Sequence, residues 1–269
     1  MQLSDVLNHI PPRVRAWGKT LVVIGGALAV YVVVALLVTL ATGDAIAGAA
    51  ASNLVVAALA LVYRWRSTGR VGAPSPRPRA RTGSFWATAA AGLVVCWLAG
   101  QVSAVWVYST WGSAQFDSVN DSRGASSVAL VLVTAVLLAP LGEEALMRGI
   151  AFTELRKHWA PLASAFVTAA VFSLLHGNVV QIVLTVPLGI LLAFVFEAVQ
   201  RLWPVVTMHV LFNLAASFVP KEFVGSIAQP PMIVALLGAV ILVLFALTPG
   251  RYAVEQNSED RASMTPRSR

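Results

Sequence analysis

Long apolar runs alternate along this chain with short polar stretches, and the lengths of those runs predict its elements. A transmembrane helix needs about 20 mostly apolar residues to cross about 30 Å of hydrocarbon. Eight runs reach or approach that length. They occupy residues 21–41, 45–63, 85–108, 126–141 with a polar continuation, 161–175, 179–199, 204–219 and 232–247. The pattern predicts an all-α, polytopic transmembrane helix bundle of about eight spans.

The composition agrees with a membrane protein. The 269 residues are 58% apolar and 12% charged, whereas a soluble domain carries about 25% charged residues. The net charge of +7 comes from Arg and Lys at the ends of apolar runs, and no basic face with interleaved aromatic residues stands apart from them. We therefore expect the lipid bilayer as a partner and no nucleic acid. The single cysteine, Cys96, lies within an apolar run, which excludes a disulfide within the chain and a cysteine metal cluster.

The distribution of Lys and Arg predicts the orientation, because positively charged loops resist translocation. Eight spans put both termini on the same side. If that side is the cytoplasm, most of the basic residues are cytoplasmic, including the six arginines between Arg64 and Arg81, and the opposite side holds only Arg123 and Lys221. We predict a multi-pass protein of the plasma membrane with both termini in the cytoplasm.

Three segments follow from these patterns. Residues 1–20 are predicted to be an amphipathic cytoplasmic leader, because the apolar run after them exceeds the 7 to about 15 residues of a signal-peptide core. Residues 21–248 are the predicted transmembrane domain, with a flexible loop rich in Pro and Arg at 64–84. Residues 249–269 contain few apolar residues and are predicted to form a disordered cytoplasmic tail.

Polar groups at membrane depth are costly, so the polar clusters that interrupt the apolar runs are candidates for function. In the first cluster, Glu144 and Arg148 are four residues apart on one helix face and can pair, whereas Glu143 is turned about 100° away. A carboxylate outside such a pair can serve as a general base. The alternative is structural: both acids cap a helix that begins after Pro140, and Arg148 lies at the membrane interface.

Two further clusters contain histidine. His176 shares a helix face with Phe172, and His209 shares one with Asn213, each pair at i and i+4. A single histidine near a span end is often interfacial, which is the alternative for His176. Two histidines, a glutamate and an asparagine on three spans are better explained by one convergent site.

Depth along the helices fits this site only in part. Helix rise from the turn near Lys157 places Glu143 and His176 on the order of 20 to 27 Å from the cytoplasmic side, but His209 only about 9 Å from it. The remaining polar candidates are predicted to have no catalytic role. Of these, His9 and His158 are expected to be solvated, Glu154 to lie on a helix surface, and Glu197 at a span end near Arg201.

The three clusters together resemble a known family. Glu-Glu-x-x-x-Arg at 143–148, Phe-x-x-x-His at 172–176 and His-x-x-x-Asn at 209–213, in this order on successive spans, resemble the motifs of the CAAX-protease and bacteriocin-processing family. Its eukaryotic branch includes the Ras-converting CAAX endopeptidase. The resemblance covers about residues 126–219.

The resemblance implies a membrane-embedded endopeptidase with its protease domain within residues 21–248. Glu143 and His176 would activate a water, and His209 and Asn213 would donate to the oxyanion. The supporting residues would be Glu144, Arg148 and Phe172. The family is often named a metalloprotease, so Glu143, His176 and His209 are alternatively ligands of a zinc ion with an open water position. Both mechanisms stay open at this point.

Two other functions remain as alternatives. A catalytically silent relative would keep the fold and act as a membrane partner or immunity-type protein, although all the motif residues are present. A proton-coupled transporter would use the buried Glu and His as a relay, although such relays usually string acids along several spans. The expected substrate is a membrane-associated peptide or protein, and the Ala, Val and Arg bias suggests a bacterial source.

Overall fold

The computed structural model describes residues 11–68 and 83–248, and every regular element in those ranges is a helix. The ten helices in these described ranges are α1 (Pro12–Thr42), α2 (Ala45–Thr68), α3 (Gly83–Trp111), α4 (Ala114–Ala125), α5 (Val128–Leu155), α6 (Pro161–Leu174), α7 (Val179–Val199), α8 (Leu202–Phe218), α9 (Lys221–Ile227) and α10 (Pro230–Ala246). Eight of them coincide with the predicted spans. Within the searched, described part of the chain, five are long and apolar enough to cross a membrane (α1, α2, α3, α5 and α7), and three apolar helices are shorter (α6, α8 and α10). The prediction of an all-α, polytopic helical protein is confirmed.

The ends of several helices differ from the prediction. Helix α1 begins at Pro12, so residues 12–20 of the predicted leader continue the first span as helix. Residues 64–68 extend α2 and residues 83–84 begin α3, so both edges of the predicted flexible loop are helical as well. Residues 69–82, His9 and the predicted tail at 249–269 lie outside the described residues. Helices α4 and α9 were not predicted, because they are short and polar.

The described chain divides into two compact units. The first comprises residues 11–68 and 122–164, and the second comprises residues 83–121 and 165–248. In the first unit α1 and α2 form a hairpin, and α5 packs against α2. The Asp44 carboxylate caps α2 by accepting from the Ile46 backbone N–H at 2.8 Å, and it also accepts from the Ser126 hydroxyl at 2.8 Å. Ser126 thus links this turn to the residues that lead into α5.

Helix α5, which carries the acidic motif, is not a regular α-helix. It winds as α-helix at Val128–Val133, π-helix at Thr134–Leu138, α-helix at Ala139–Glu144, π-helix at Ala145–Phe152 and α-helix at Thr153–Leu155. Pro140 lacks a backbone N–H and its ring crowds the carbonyl four residues earlier, so the preceding wide turn relieves a clash. The Thr153 hydroxyl, just after the second π segment, donates to the Arg148 carbonyl within it at 2.9 Å. Such segments occur frequently at functional sites.

The end of α5 corrects two sequence predictions. Glu154 is 3% exposed rather than on a helix surface, because its carboxylate accepts hydrogen bonds from Tyr63, Lys157 and, at 3.0 Å, Thr20. His158 is half-buried rather than solvated: its ring stacks on Trp17 with centroids 4.1 Å apart. Its Nε2 lies 2.9 Å from the Thr20 hydroxyl. Since that hydroxyl gives its proton to Glu154, His158 Nε2–H is the donor.

In the second unit α7 is more apolar and more enclosed than α3, the other long span of that unit. It packs against α3, and α3 also packs against α10. Leu188, Leu191 and Leu192 of α7 are fully buried, and Leu191 packs against α3 at Gly92. Glu197 lies two residues before the end of α7, which is the span-end position predicted for it. Helix α7 begins at Val179, three residues after His176, so its packing anchors the chain next to that histidine.

Candidate active site

The pair Glu144 and Arg148 forms as predicted. Arg148 Nη1 donates to Glu144 Oε1 at 3.0 Å, and both side chains are 0% exposed. The two side chains are therefore enclosed by the protein, and Glu144 lies inside α5 rather than capping its start. A buried carboxylate is tolerated only with a compensating charge or hydrogen bonds. Arg148 supplies that charge to Glu144.

Glu143 points in a different direction and is half-buried. The residue before it, Gly142, touches α2 so closely that a Cβ there would lie 2.3 Å from Asn53 Oδ1 and 2.5 Å from Asn53 Cα. Glycine is therefore required for α5 to approach α2 at this level. The close approach fixes where the backbone of Glu143 lies within the first unit.

Three polar residues near Glu143 were missed by the sequence analysis. Tyr31 on α1 contacts the side chains of Ser52 and Asn53 on α2 and interacts electrostatically with Glu143. Ser52 and Asn53 are almost fully buried, and each donates to the Ala49 carbonyl at 2.9 Å. The signal was available in the sequence, since a Ser-Asn pair interrupts an apolar run at membrane depth.

In the second unit, His176 follows the last turn of α6. Its backbone N–H bonds to the Ser173 carbonyl at 3.2 Å, which tightens the turn, while its ring Nδ1 lies 3.0 Å from the Phe172 carbonyl. A carbonyl only accepts hydrogen bonds, so Nδ1 carries the proton. The ring Nε2 of the neutral imidazole then has a lone pair that can accept from a water or bind a metal.

Phe172 brings the two histidines of the motifs together. Its ring lies edge-on to the His176 ring with centroids 5.1 Å apart, and edge-on to the His209 ring with centroids 5.7 Å apart. Both histidine rings therefore contact the same side chain of the second unit. This contact does not fit well with the depth estimate that separated His209 from His176, which measured both from loops taken to end at one membrane level.

His209 and Asn213 are one turn apart on α8, as predicted. His209 is 2% exposed, whereas Asn213 is half-buried. The backbone carbonyl of Asn213 accepts from the Ser217 hydroxyl at 2.7 Å. This bond does not involve the side-chain amide of Asn213. An imidazole and an amide on adjacent turns can each supply an N–H donor.

The predicted residues thus divide between the two units. Glu143, Glu144 and Arg148 belong to the first, and the second contains Phe172, His176, His209 and Asn213. Among residues 11–68 and 83–248, no group of three or more His, Cys, Asp or Glu side chains is arranged to hold a metal ion. We therefore derive no step through zinc, which stays a prediction from the sequence.

Comparison with known proteins bears on the family. No curated protein and no solved structure matches the chain significantly. A family model does match, that of the Type II CAAX prenyl endopeptidase Rce1-like proteins, over residues 125–215. The matched segment includes all three motifs, from Glu143 to Asn213. Residues 125–215 of this chain are therefore similar to the Type II CAAX prenyl endopeptidase Rce1-like family, and over this segment the match confirms the predicted resemblance to the CAAX-protease and bacteriocin-processing family.

Proposed function

We propose that the protein is a membrane-embedded endopeptidase that cleaves a membrane-associated peptide or protein with a water activated by Glu143 and His176. One observation carries the proposal: the segment that matches the Rce1-like family contains every motif residue, and each of them is of the type the chemistry needs. We further propose that it acts in the cell membrane, with both termini in the cytoplasm.

The proposed chemistry gives each motif residue one role and uses the Nδ1 proton of the His176 ring. Glu143 takes a proton from the water while His176 Nε2 accepts the second hydrogen bond of that water, and the oxygen attacks the scissile carbonyl carbon. His209 and Asn213 donate to the oxyanion that forms. When the C–N bond breaks, Glu143 returns the proton to the leaving nitrogen. Glu144 is not available as a second base, because Arg148 holds it.

The substrate class is taken from the name of the matched family. A prenylated C-terminal peptide is an amphiphile whose lipid partitions into the bilayer, so it arrives at a membrane enzyme with its peptide bond near the headgroups. We propose a lipid-anchored or otherwise membrane-associated peptide as the substrate, and a farnesylated fluorogenic peptide as its first probe.

The test is cleavage of that probe by the purified protein in nanodiscs, with the products identified by mass. Glu143→Gln keeps the shape of the side chain and removes the base, so activity should fall by at least about 10²-fold. Glu222→Gln is the matched control, because Glu222 is exposed on α9, and it should retain activity. Wild-type activity in folded Glu143→Gln protein would refute the assignment. Bound but uncleaved probe would favour a catalytically silent relative.

A second measurement separates the metal-free mechanism from a zinc mechanism. Oxyanion donation predicts that Asn213→Ala lowers kcat by about 10² to 10³ with little change in KM. If Glu143, His176 and His209 bind zinc, His209→Ala should release the metal, and a chelator should abolish activity until zinc is returned. We favour the metal-free mechanism, because His209 and Asn213, at i and i+4, make two adjacent donors and Asn is a poor zinc ligand. Stoichiometric zinc that is lost together with activity would overturn it.

A further inference from the structure

We propose that Asn178 is a positioning residue for His176: its side-chain amide holds the main chain of the histidine so that the ring keeps its proton on Nδ1 and directs Nε2 away from α6. This inference rests on the proposed function of His176 and adds a residue that lies outside the three motifs.

The geometry of the Asn178 side chain is the basis of the proposal. Asn178 is 4% exposed. Its Nδ2 donates to the His176 carbonyl at 3.1 Å and to the Gln181 side-chain oxygen, and its Oδ1 accepts from the Gln181 backbone N–H at 2.8 Å. Both amide protons and the oxygen are used, so the orientation of the amide is fixed.

These bonds hold His176 from two directions. The ring is held through Nδ1–H and the Phe172 carbonyl, and the main chain is held through its own carbonyl and Asn178. Between them Gly177 adopts a left-handed conformation with φ of +71°, which a glycine adopts without strain. Without the Asn178 bond, the peptide after His176 can rotate at this glycine and the ring can leave the Phe172 carbonyl.

The same side chain also caps α7, so the test must separate the two roles. A cap requires only an oxygen that accepts from Gln181 N–H, and Ser or Asp provides it about as well as Asn. Asn178→Ser and Asn178→Asp therefore keep the cap but lose the amide donor to His176. The melting temperature should change little in both variants, whereas the state of the His176 ring should change.

The deciding readout is the tautomer of His176, measured by ¹⁵N NMR of histidine-labelled protein in nanodiscs. The chain has four histidines, and the His176 signal is identified by its loss in His176→Gln. In the wild type we expect a proton on Nδ1, and in the Asn178 variants a shift toward protonated Nε2. As a control, Asn120→Ser on α4 should leave the signal unchanged. A wild-type proton on Nε2, or an unchanged tautomer in both Asn178 variants, would overturn the proposal.

Cleavage of the farnesylated probe provides the second readout. A displaced ring should lower kcat by about 10- to 100-fold with KM within about twofold, since small misplacements of catalytic groups cost that much. An unchanged kcat beside a shifted tautomer would overturn the catalytic part of the proposal. The tautomer is measured without substrate. If the wild type cleaves nothing, the proposed function fails while the NMR result still decides the role of Asn178.

Discussion

The buried pair of Glu144 and Arg148 allows the sharpest stability prediction. Both side chains are 0% exposed and joined at 3.0 Å, so Arg148→Ala removes a cation and leaves a carboxylate in a low-dielectric interior. Loss of one partner of a buried pair costs about 3 to 5 kcal/mol. A folded chain of this size shifts its melting temperature by about 2 to 4 °C per kcal/mol. We expect Arg148→Ala to melt on the order of 10 °C below the wild type.

The assay is a thermal melt followed by tryptophan fluorescence in one detergent, with size-exclusion chromatography to verify monodispersity. Arg123→Ala is the matched control, since it also removes an arginine but from an exposed position on α4. Exposed substitutions usually change stability by less than about 0.5 kcal/mol. A shift of Arg148→Ala no larger than that of Arg123→Ala would refute the buried-pair argument.

A double variant distinguishes the loss of the pair from the loss of the arginine alone. Replacing both residues, with Glu144→Gln and Arg148→Met, removes both charges of the pair, so that neither is left without the other. Paired charges replaced by uncharged groups of similar volume are often close to neutral in stability. The double variant should therefore melt above Arg148→Ala. If it melts lower, the two residues contribute independently and the free-energy cost does not come from a stranded carboxylate.

Three further experiments test the contacts of Glu154, the titration of Asp44 and the orientation predicted from the sequence. Glu154→Ala should lower stability by about 2 to 3 kcal/mol in the same melt, because the hydroxyls of Thr20 and Tyr63 lose a charged acceptor; an unchanged melting temperature would contradict the burial of Glu154. The Ser126 hydroxyl and backbone N–H donors at the start of α2 lower the pKa of Asp44 in the folded protein. The ionised Asp44 carboxylate therefore stabilises the fold at pH values above its pKa in the unfolded chain. This contribution is lost as the pH falls below about 4 and through the pKa of Asp44 in the folded protein. Asp44→Asn should flatten the acid limb of melting temperature against pH, and parallel curves would show that Asp44 does not contribute. For topology, a cysteine at position 75 in the Cys96→Ala background should resist an impermeant reagent applied to intact cells, and labelling from outside would refute the orientation.

Apolar run length predicted the helices well because the bilayer imposes one dominant requirement on each span. The run at 179–199 matches α7 at both ends. Helix α1 begins at Pro12, earlier than the apolar run predicted. Residues 12–20 need not be apolar to be helical, because a helix satisfies its own backbone hydrogen bonds outside the hydrocarbon as well. The π segments of α5 leave no mark in the hydropathy pattern, because both windings present similar residues over one or two turns.

The motif pairs were predictable because they are local. Glu144 with Arg148, and Phe172 with His176, are each four residues apart, so helix geometry alone brings them together. The errors concern contacts between distant parts of the chain. Glu154 is buried by Thr20 and Tyr63, which no spacing rule connects to it. Neither the stacking of His158 on Trp17 nor the proximity of Tyr31 to Glu143 has a local signal, and both depend on how α1 packs against the α5 region of the first unit.

Local bonding has a consequence for how this site can be built. In hydrocarbon a polar group without a partner costs several kcal/mol, so each motif helix must satisfy its own polar side chains before helices associate. The chain does this within short segments: Arg148 with Glu144, the His176 ring with the Phe172 carbonyl, and Asn178 with Gln181. Each of these bonds also fixes a direction or a protonation state that the proposed chemistry uses. The bonds that satisfy these polar groups within each helix are therefore the same bonds that would orient the proposed catalytic residues. For Asn178, where Ser or Asp keeps the helix cap, a substitution should alter the state of the site with little change in stability.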